Sequence, residues 1–223
     1  MIVNDSDPSQ TRVPVWDVPV RLVHWLMVLS VAGAWWTADT GRMDWHQYCG
    51  YALLALVSFR VYWGFLGSST ARFSQFMRGP REIVNYLKGR RAHVPGHNPL
   101  GALSVVALLA LLLTQVVLGL FTVDVDGIES GPLSTYVSFD AGRLAANWHD
   151  KLFDVLLWLI GLHIAAVLYY VLIRKENLIG PMLSGKRAYD SDQPAVKTGS
   201  VILLIVGIAL AGMLTWWVSR AFQ

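Results

Sequence analysis

The chemistry of this chain is carried by its histidines. There are six, His24, His46, His93, His97, His149 and His163, beside a single cysteine, Cys49. His149 and His163 are 14 residues apart, which on an α-helix is a rise of roughly 21 Å and close to four whole turns, with a phase error of about 40°. Both imidazoles therefore leave one helix face at two depths. Imidazole is a ready ligand for transition metals. One thiol excludes an internal disulfide, an all-cysteine zinc site and an iron–sulfur cluster held by this chain alone. Two ligands at each level make an incomplete zinc site, and the nearby carboxylates Asp150 and Asp154 complete it poorly.

The elements that position these rings are membrane spans. Of 223 residues, 54% are hydrophobic and 15% are charged, and the ten Trp cluster near the ends of apolar runs, where an amphipathic ring suits the headgroup layer. Five stretches are long enough to cross a hydrocarbon core, at about 19–38, 46–66, 99–123, 148–173 and 199–219. The third and fifth carry no charge between Leu100 and Val123 or between Val201 and Val218, unlike an amphipathic helix of a soluble protein. Asp17 with Pro19, and Asn98 with Pro99, read as helix starts. Asp150 reads as a first-turn carboxylate of span four. Residues 1–14 lack an early basic cluster and read as a short tail rather than a cleavable signal.

The net charge of +3 matters through its distribution. All of the 18 Lys and Arg except Arg42, Arg143, Lys151 and Arg220 fall on one side of the five spans. That side is expected to be cytoplasmic, with the N-terminus inside and the C-terminus outside. Asp124, Asp126, Glu129 and Asp140 then form an acidic external loop. Residues 78–88, Arg-Gly-Pro-Arg-Glu-Ile-Val-Asn-Tyr-Leu-Lys, suggest a short interfacial helix. No nucleic-acid partner is expected; the partner is the bilayer.

Depth pairs the four intramembrane histidines as His24 with His163 near the inner surface and His46 with His149 near the outer one. The crossed pairing would bring ligands together from opposite surfaces. Two bis-histidine sites stacked across a bilayer suit two haems, each held by imidazoles from facing helices. Gly50, one turn after His46, gives a porphyrin room, and Gly33 and Gly161 offer the same, although small residues also serve plain helix packing. Arg60, 14 residues after His46, and Arg21, one turn before His24, suit the propionates of the inner haem; snorkelling to headgroups is the ordinary alternative. His97 in the inner loop is a candidate for a propionate contact or for quinone proton transfer.

Several segments resemble the bacterial di-haem b-type cytochromes, the group of bacterial cytochrome b561 and the nickel–iron hydrogenase cytochrome b subunits. They are Val15–Trp25 around His24, His46–Tyr51, Phe59–Phe65, Arg78-Gly79-Pro80, Gly96–Gly101, Trp148-His149 and His163, within about residues 13–187. The resemblance implies an all-α integral membrane fold, a four-helix transmembrane haem-binding bundle, over 1–187. It implies two haem b groups with His24, His46, His149 and His163 as axial ligands, in a bacterial inner membrane. Its members exchange electrons with ubiquinone or menaquinone and with a partner redox protein. Residues 188–223 depart from the pattern: a polar linker with Asp190–Pro194 leads to a fifth, C-terminal transmembrane helix. There Gly207 and Ala211 form a small-residue pair for packing on the bundle, on a second copy in a homo-oligomer, or on a partner.

Transmembrane electron transfer between the quinone pool and a redox protein such as a c-type cytochrome at the outer face is therefore the leading expectation, with the acidic loop attracting a basic partner. A second expectation is a superoxide:quinone oxidoreductase. The exterior holds eight carboxylates, counting Asp39, Asp44, Asp150 and Asp154, against four bases, which ranks it second for an anionic substrate. A haem-free, histidine-based transporter ranks third.

Overall fold

In the computed structural model, residues 11–77, 79–88, 99–126, 128–189 and 197–221 are described. The elements run β1 (Thr11–Pro14), α1 (Val18–Asp39), α2 (Met43–Leu66), α3 (Phe73–Phe76), α4 (Pro80–Leu87), α5 (Pro99–Leu120), a 3₁₀ turn (Ser134–Tyr136), α6 (Phe139–Leu172), α7 (Ile179–Ser184), β2 (Lys186–Tyr189) and α8 (Val201–Arg220). α1, α2, α5, α6 and α8 are long and apolar enough to cross a membrane. Helices are the natural form there, because hydrocarbon supplies no partner for backbone N–H and C=O groups. The protein is an all-α, multi-pass integral membrane protein, with one short antiparallel ribbon, β1 with β2, among the described residues.

Two expectations change. Span four begins at Phe139 instead of 148, and its 34 residues are about 51 Å of helix, well beyond a core of about 30 Å. Asp140, expected in the external loop, is the first-turn carboxylate, and Asp150 is three turns in. A hydropathy run starts where the lipid starts, whereas a helix starts where its capping does; Ser138 Oγ accepts the Ala141 N–H at 3.3 Å. The second change concerns residues 11–14, which are strand β1 rather than plain tail. The 78–88 helix is found as Pro80–Leu87. Asn98, His93, His97 and the Asp190–Pro194 linker lie outside the described residues.

The chain divides into two compact units. One comprises Met1–Leu22, Tyr62–Ala107 and Ile160–Leu204. Its buried centre is Trp63, 2% exposed, whose Nε1 donates to Asp17 Oδ2 at 2.8 Å. The other Asp17 oxygen accepts the Val20 N–H at 2.9 Å and caps α1. Gly199 lies against the same indole, where a Cβ would come within 2.4 Å of Trp63 Cζ2. The Lys197 backbone exchanges hydrogen bonds with Ser69. Tyr86 of α4 and Tyr170 of α6 join hydroxyls at 2.6 Å.

The second unit comprises Val23–Val61, Leu108–Leu159 and Ile205–Gln223. The segment after α5 folds back on that helix: the Gly131 and Leu133 N–H groups donate to Thr122 O and Leu120 O, both at 2.8 Å. Arg143 Nη1 donates to Val123 O at 2.9 Å. These contacts satisfy carbonyls at the helix end. Gly207 and Ala211 of α8 are buried within this chain.

Asp17 carries both a cap and a buried indole hydrogen bond. Asp17→Ala should lower stability by about 2 kcal/mol, read as a lower Tm of the purified protein, while Asp17→Asn should lose less than half as much.

Candidate functional site

The site grows from a tight helical hairpin. α1 ends at Asp39 and α2 begins at Met43, with Gly41 at φ 67°, a left-handed conformation that glycine adopts at little cost. The Arg42 N–H closes the turn on Thr37 O at 2.8 Å. The return brings His46 opposite Ala34, and His46 Nδ1 lies 2.8 Å from Ala34 O. A carbonyl oxygen only accepts, so Nδ1 carries the proton and Nε2 keeps its lone pair.

α5 and α6 repeat the device. His149 Nδ1 donates to Gln115 O at 2.9 Å, and Gln115 Nε2 donates back to His149 O at 2.7 Å. Gly119, one turn beyond Gln115, permits the close approach; a Cβ there would stand 2.9 Å from His149 Cε1. The His46 and His149 ring centroids are 6.1 Å apart with planes at 85°. Two metal–nitrogen bonds of about 2 Å plus the two ring radii come to roughly the same separation.

Both rings line a cavity of about 910 Å³, together with Gly50, Gln115, Gly119 and Leu156. Its volume lies at the large end of small-molecule sites, about 300–1,000 Å³. A Cβ on Gly50 would meet nothing within 4 Å, so the α2 wall is open beside His46. Gln115 Oε1 is buried without a hydrogen bond. Two imidazoles with fixed tautomers and free Nε2 atoms, facing a large, mostly apolar space, fit a haem iron with two axial nitrogens. Among the described residues, no group of three or more His, Cys, Asp or Glu could hold a metal.

The remaining sequence candidates are distributed as follows. His163 belongs to the first unit, where its Nδ1 is 3.3 Å from Ser104 Oγ. His24 belongs to the second, its ring edge-on to Trp25 at 5.0 Å. Arg60 is 5% exposed; it is packed inside protein, which sets aside snorkelling as its role. The Arg21 guanidinium donates to Leu183 O and lies over Gly185, while its Nε is buried without a hydrogen bond. A Cβ on Gly33 would meet Cys49 Sγ at 3.1 Å, so this glycine serves α1–α2 packing, whereas a Cβ on Gly161 would meet nothing within 4 Å. His97 lies outside the described residues.

Sequence reasoning missed Ala34, Gln115 and Gly119. Ala34 acts through its backbone and leaves no signal. Gln115 had one: an amide deep in a charge-free span calls for a partner, and Gly119 follows on its face.

Paired imidazoles on membrane-spanning helices are a donor set suited to a haem iron, as in a membrane cytochrome. A family profile described as prokaryotic cytochrome b561 matches residues 15–185, and the chain belongs to that family. It is 23% identical to a probable Ni/Fe-hydrogenase B-type cytochrome subunit of Azotobacter chroococcum mcd 1, with 83% of this chain and 92% of that protein covered. The same-named subunit of Azotobacter vinelandii is 22% identical with the same coverage. No solved structure matches significantly. The family implies haem b and membrane electron transfer.

Gly119→Val should drive the His149 ring from its place. The haem-to-protein ratio should fall while helical circular dichroism is retained; full haem content in this variant would show that Gly119 does not set the His149 position.

Proposed function

We propose that this protein carries electrons across the bacterial inner membrane through two bis-histidine b haems, between the quinone pool and a redox protein at the outer face. The observation that supports it most is the His46–His149 pair, with both Nδ1 protons committed to backbone carbonyls. His46 and His149 hold the outer haem, and His24 and His163 the inner one, a pairing that rests on their depths. When bound, the haems would supply reversible one-electron chemistry.

The protein's own residues bind, orient and insulate. Ala34 O and Gln115 O hold the outer imidazoles in one tautomer and orientation. Gly50 and Gly119 leave space for the macrocycle, while Leu53 and Leu156 line the cavity with apolar surface. Arg60, buried on α2, is a cation suited to the propionates of the inner haem, with Arg21 and His97 as further candidates. The N-terminus is cytoplasmic and the C-terminus periplasmic, following the distribution of Lys and Arg.

The outer partner is a basic protein of the c-type cytochrome kind. Val125 and Ile128, 66% and 80% exposed, stand among Asp124, Asp126 and Glu129, an apolar centre rimmed by acid that suits a transient basic partner. Ile128 and Glu129 also line the cavity of His46 and His149. Around that cavity Asp44, Asp124, Glu129 and Asp150 outnumber Arg42 and Arg143, which disfavours superoxide as the substrate.

His163→Ala and His24→Ala should each remove the same haem and leave the other, and His46→Ala and His149→Ala the second, read in reduced-minus-oxidised spectra. Loss of both haems from every variant, with the fold retained, would contradict the pairing. In stopped flow, quinol should reduce the intact protein; rapid reduction by superoxide would favour the oxidoreductase reading instead.

A further inference from the structure

A groove between α2 and α8 carries polar chemistry that haem binding leaves unused. It measures about 600 Å³, and its lining includes Gln47, Tyr48 and Tyr51 of α2 and Gly212, Thr215 and Trp216 of α8. Gln47 and Tyr51 also line the cavity of His46 and His149, so the two spaces share a wall. The family match ends at residue 185, which makes the α8 side of the groove an addition to the matched region.

Thr215 is the informative residue. Threonines in or at the ends of other helices return their hydroxyls to a carbonyl one turn back: Thr37 to Gly33 O at 2.7 Å, Thr40 to Trp36 O at 2.8 Å and Thr114 to Ala110 O at 2.9 Å. Thr215 does not, and its Oγ1 is buried without a hydrogen bond. Inside a bilayer an unmet hydroxyl is costly, since lipid tails offer no partner. One turn deeper, a Cβ on Gly212 would meet nothing within 4 Å, so the floor beneath that hydroxyl is open. Tyr48 and Trp216, 62% and 61% exposed, supply flat aromatic surface beside it.

We propose that this groove binds the ring of a lipid-soluble quinone or quinol. The Thr215 hydroxyl meets a ring oxygen, Tyr48 and Trp216 flank the ring, and the apolar tail leaves into lipid. The proposal rests on the quinone-linked reading above and adds the place of binding. A phospholipid chain would fill the volume but has no use for a hydroxyl in that position. The wall shared through Gln47 and Tyr51 sets the ring beside the His46–His149 cavity, where a redox carrier is useful and a structural lipid is not.

The test is titration calorimetry of the haem-loaded protein with decylubiquinone, with haem spectra recorded for every variant. Gly212→Leu fills the floor and should weaken binding roughly tenfold or more. Thr215→Val should weaken it several-fold, to about fivefold, and Thr215→Ser should restore it; all three should keep the parental haem spectrum. Should Gly212→Leu disturb the haems, the Thr215 pair decides alone. Binding within about twofold of the parent in both Gly212→Leu and Thr215→Val would overturn the proposal and leave quinone use intact, at another place. A parent that neither binds decylubiquinone nor is reduced by its quinol would remove the quinone reading itself. A co-purified phospholipid in the groove that decylubiquinone does not displace would assign the groove to lipid and overturn the proposal.

Discussion

Two backbone carbonyls, Ala34 O and Gln115 O, decide what the imidazoles of His46 and His149 can do. In an α-helix each carbonyl already accepts one hydrogen bond, but its oxygen has a second lone pair. In hydrocarbon that lone pair has no water to meet, and an imidazole N–H from a neighbouring helix is a natural partner. Once the bond forms, the proton stays on Nδ1 and the Nε2 lone pair is left available on a ring that lines the cavity. Tautomer and ring direction then follow from one contact each, and the 6.1 Å ring separation depends on both.

That constraint reaches outward into the chain. For Ala34 O to face His46, α1 and α2 must be joined by a turn short enough to keep them adjacent, which Gly41 provides through its positive φ. For Gln115 O to face His149, α5 and α6 must approach closely, which the missing side chain at Gly119 permits. The reciprocal bond from Gln115 Nε2 to His149 O holds the two helices in register at that level. A longer turn or a larger residue at 119 would leave the imidazoles free to choose other tautomers.

The apolar content of the chain serves two solvents. Trp158, 82% exposed, and Leu162, 66% exposed, lie on α6 largely uncovered by protein, as lipid-facing residues do. Arg60 shows the opposite arrangement, a cation enclosed by protein on a spanning helix, where burial demands polar or anionic company. Hydropathy averages treat both helices alike. Only packing separates the face turned to lipid from the face turned to the site.

The five spans, and the placing of His149 and His163 on one of them, were legible in the sequence because they depend on a local quantity: residue polarity over about 20 positions. The capping by Asp17 was legible for the same reason, although its bond to Trp63, 46 residues away, was not. The start of α6 was misplaced because polarity marks the membrane boundary and not the helix boundary. Pairing between β1 and β2, the Ala34 and Gln115 carbonyls, and the close approach at Gly119 were decided by the tertiary structure. Each joins backbone or absent side-chain atoms across segments distant in the chain, and a backbone carbonyl is the same in every residue type. The sequence by itself thus determined which spans carry the imidazoles; the tertiary structure determined which nitrogen of His46 and His149 is free.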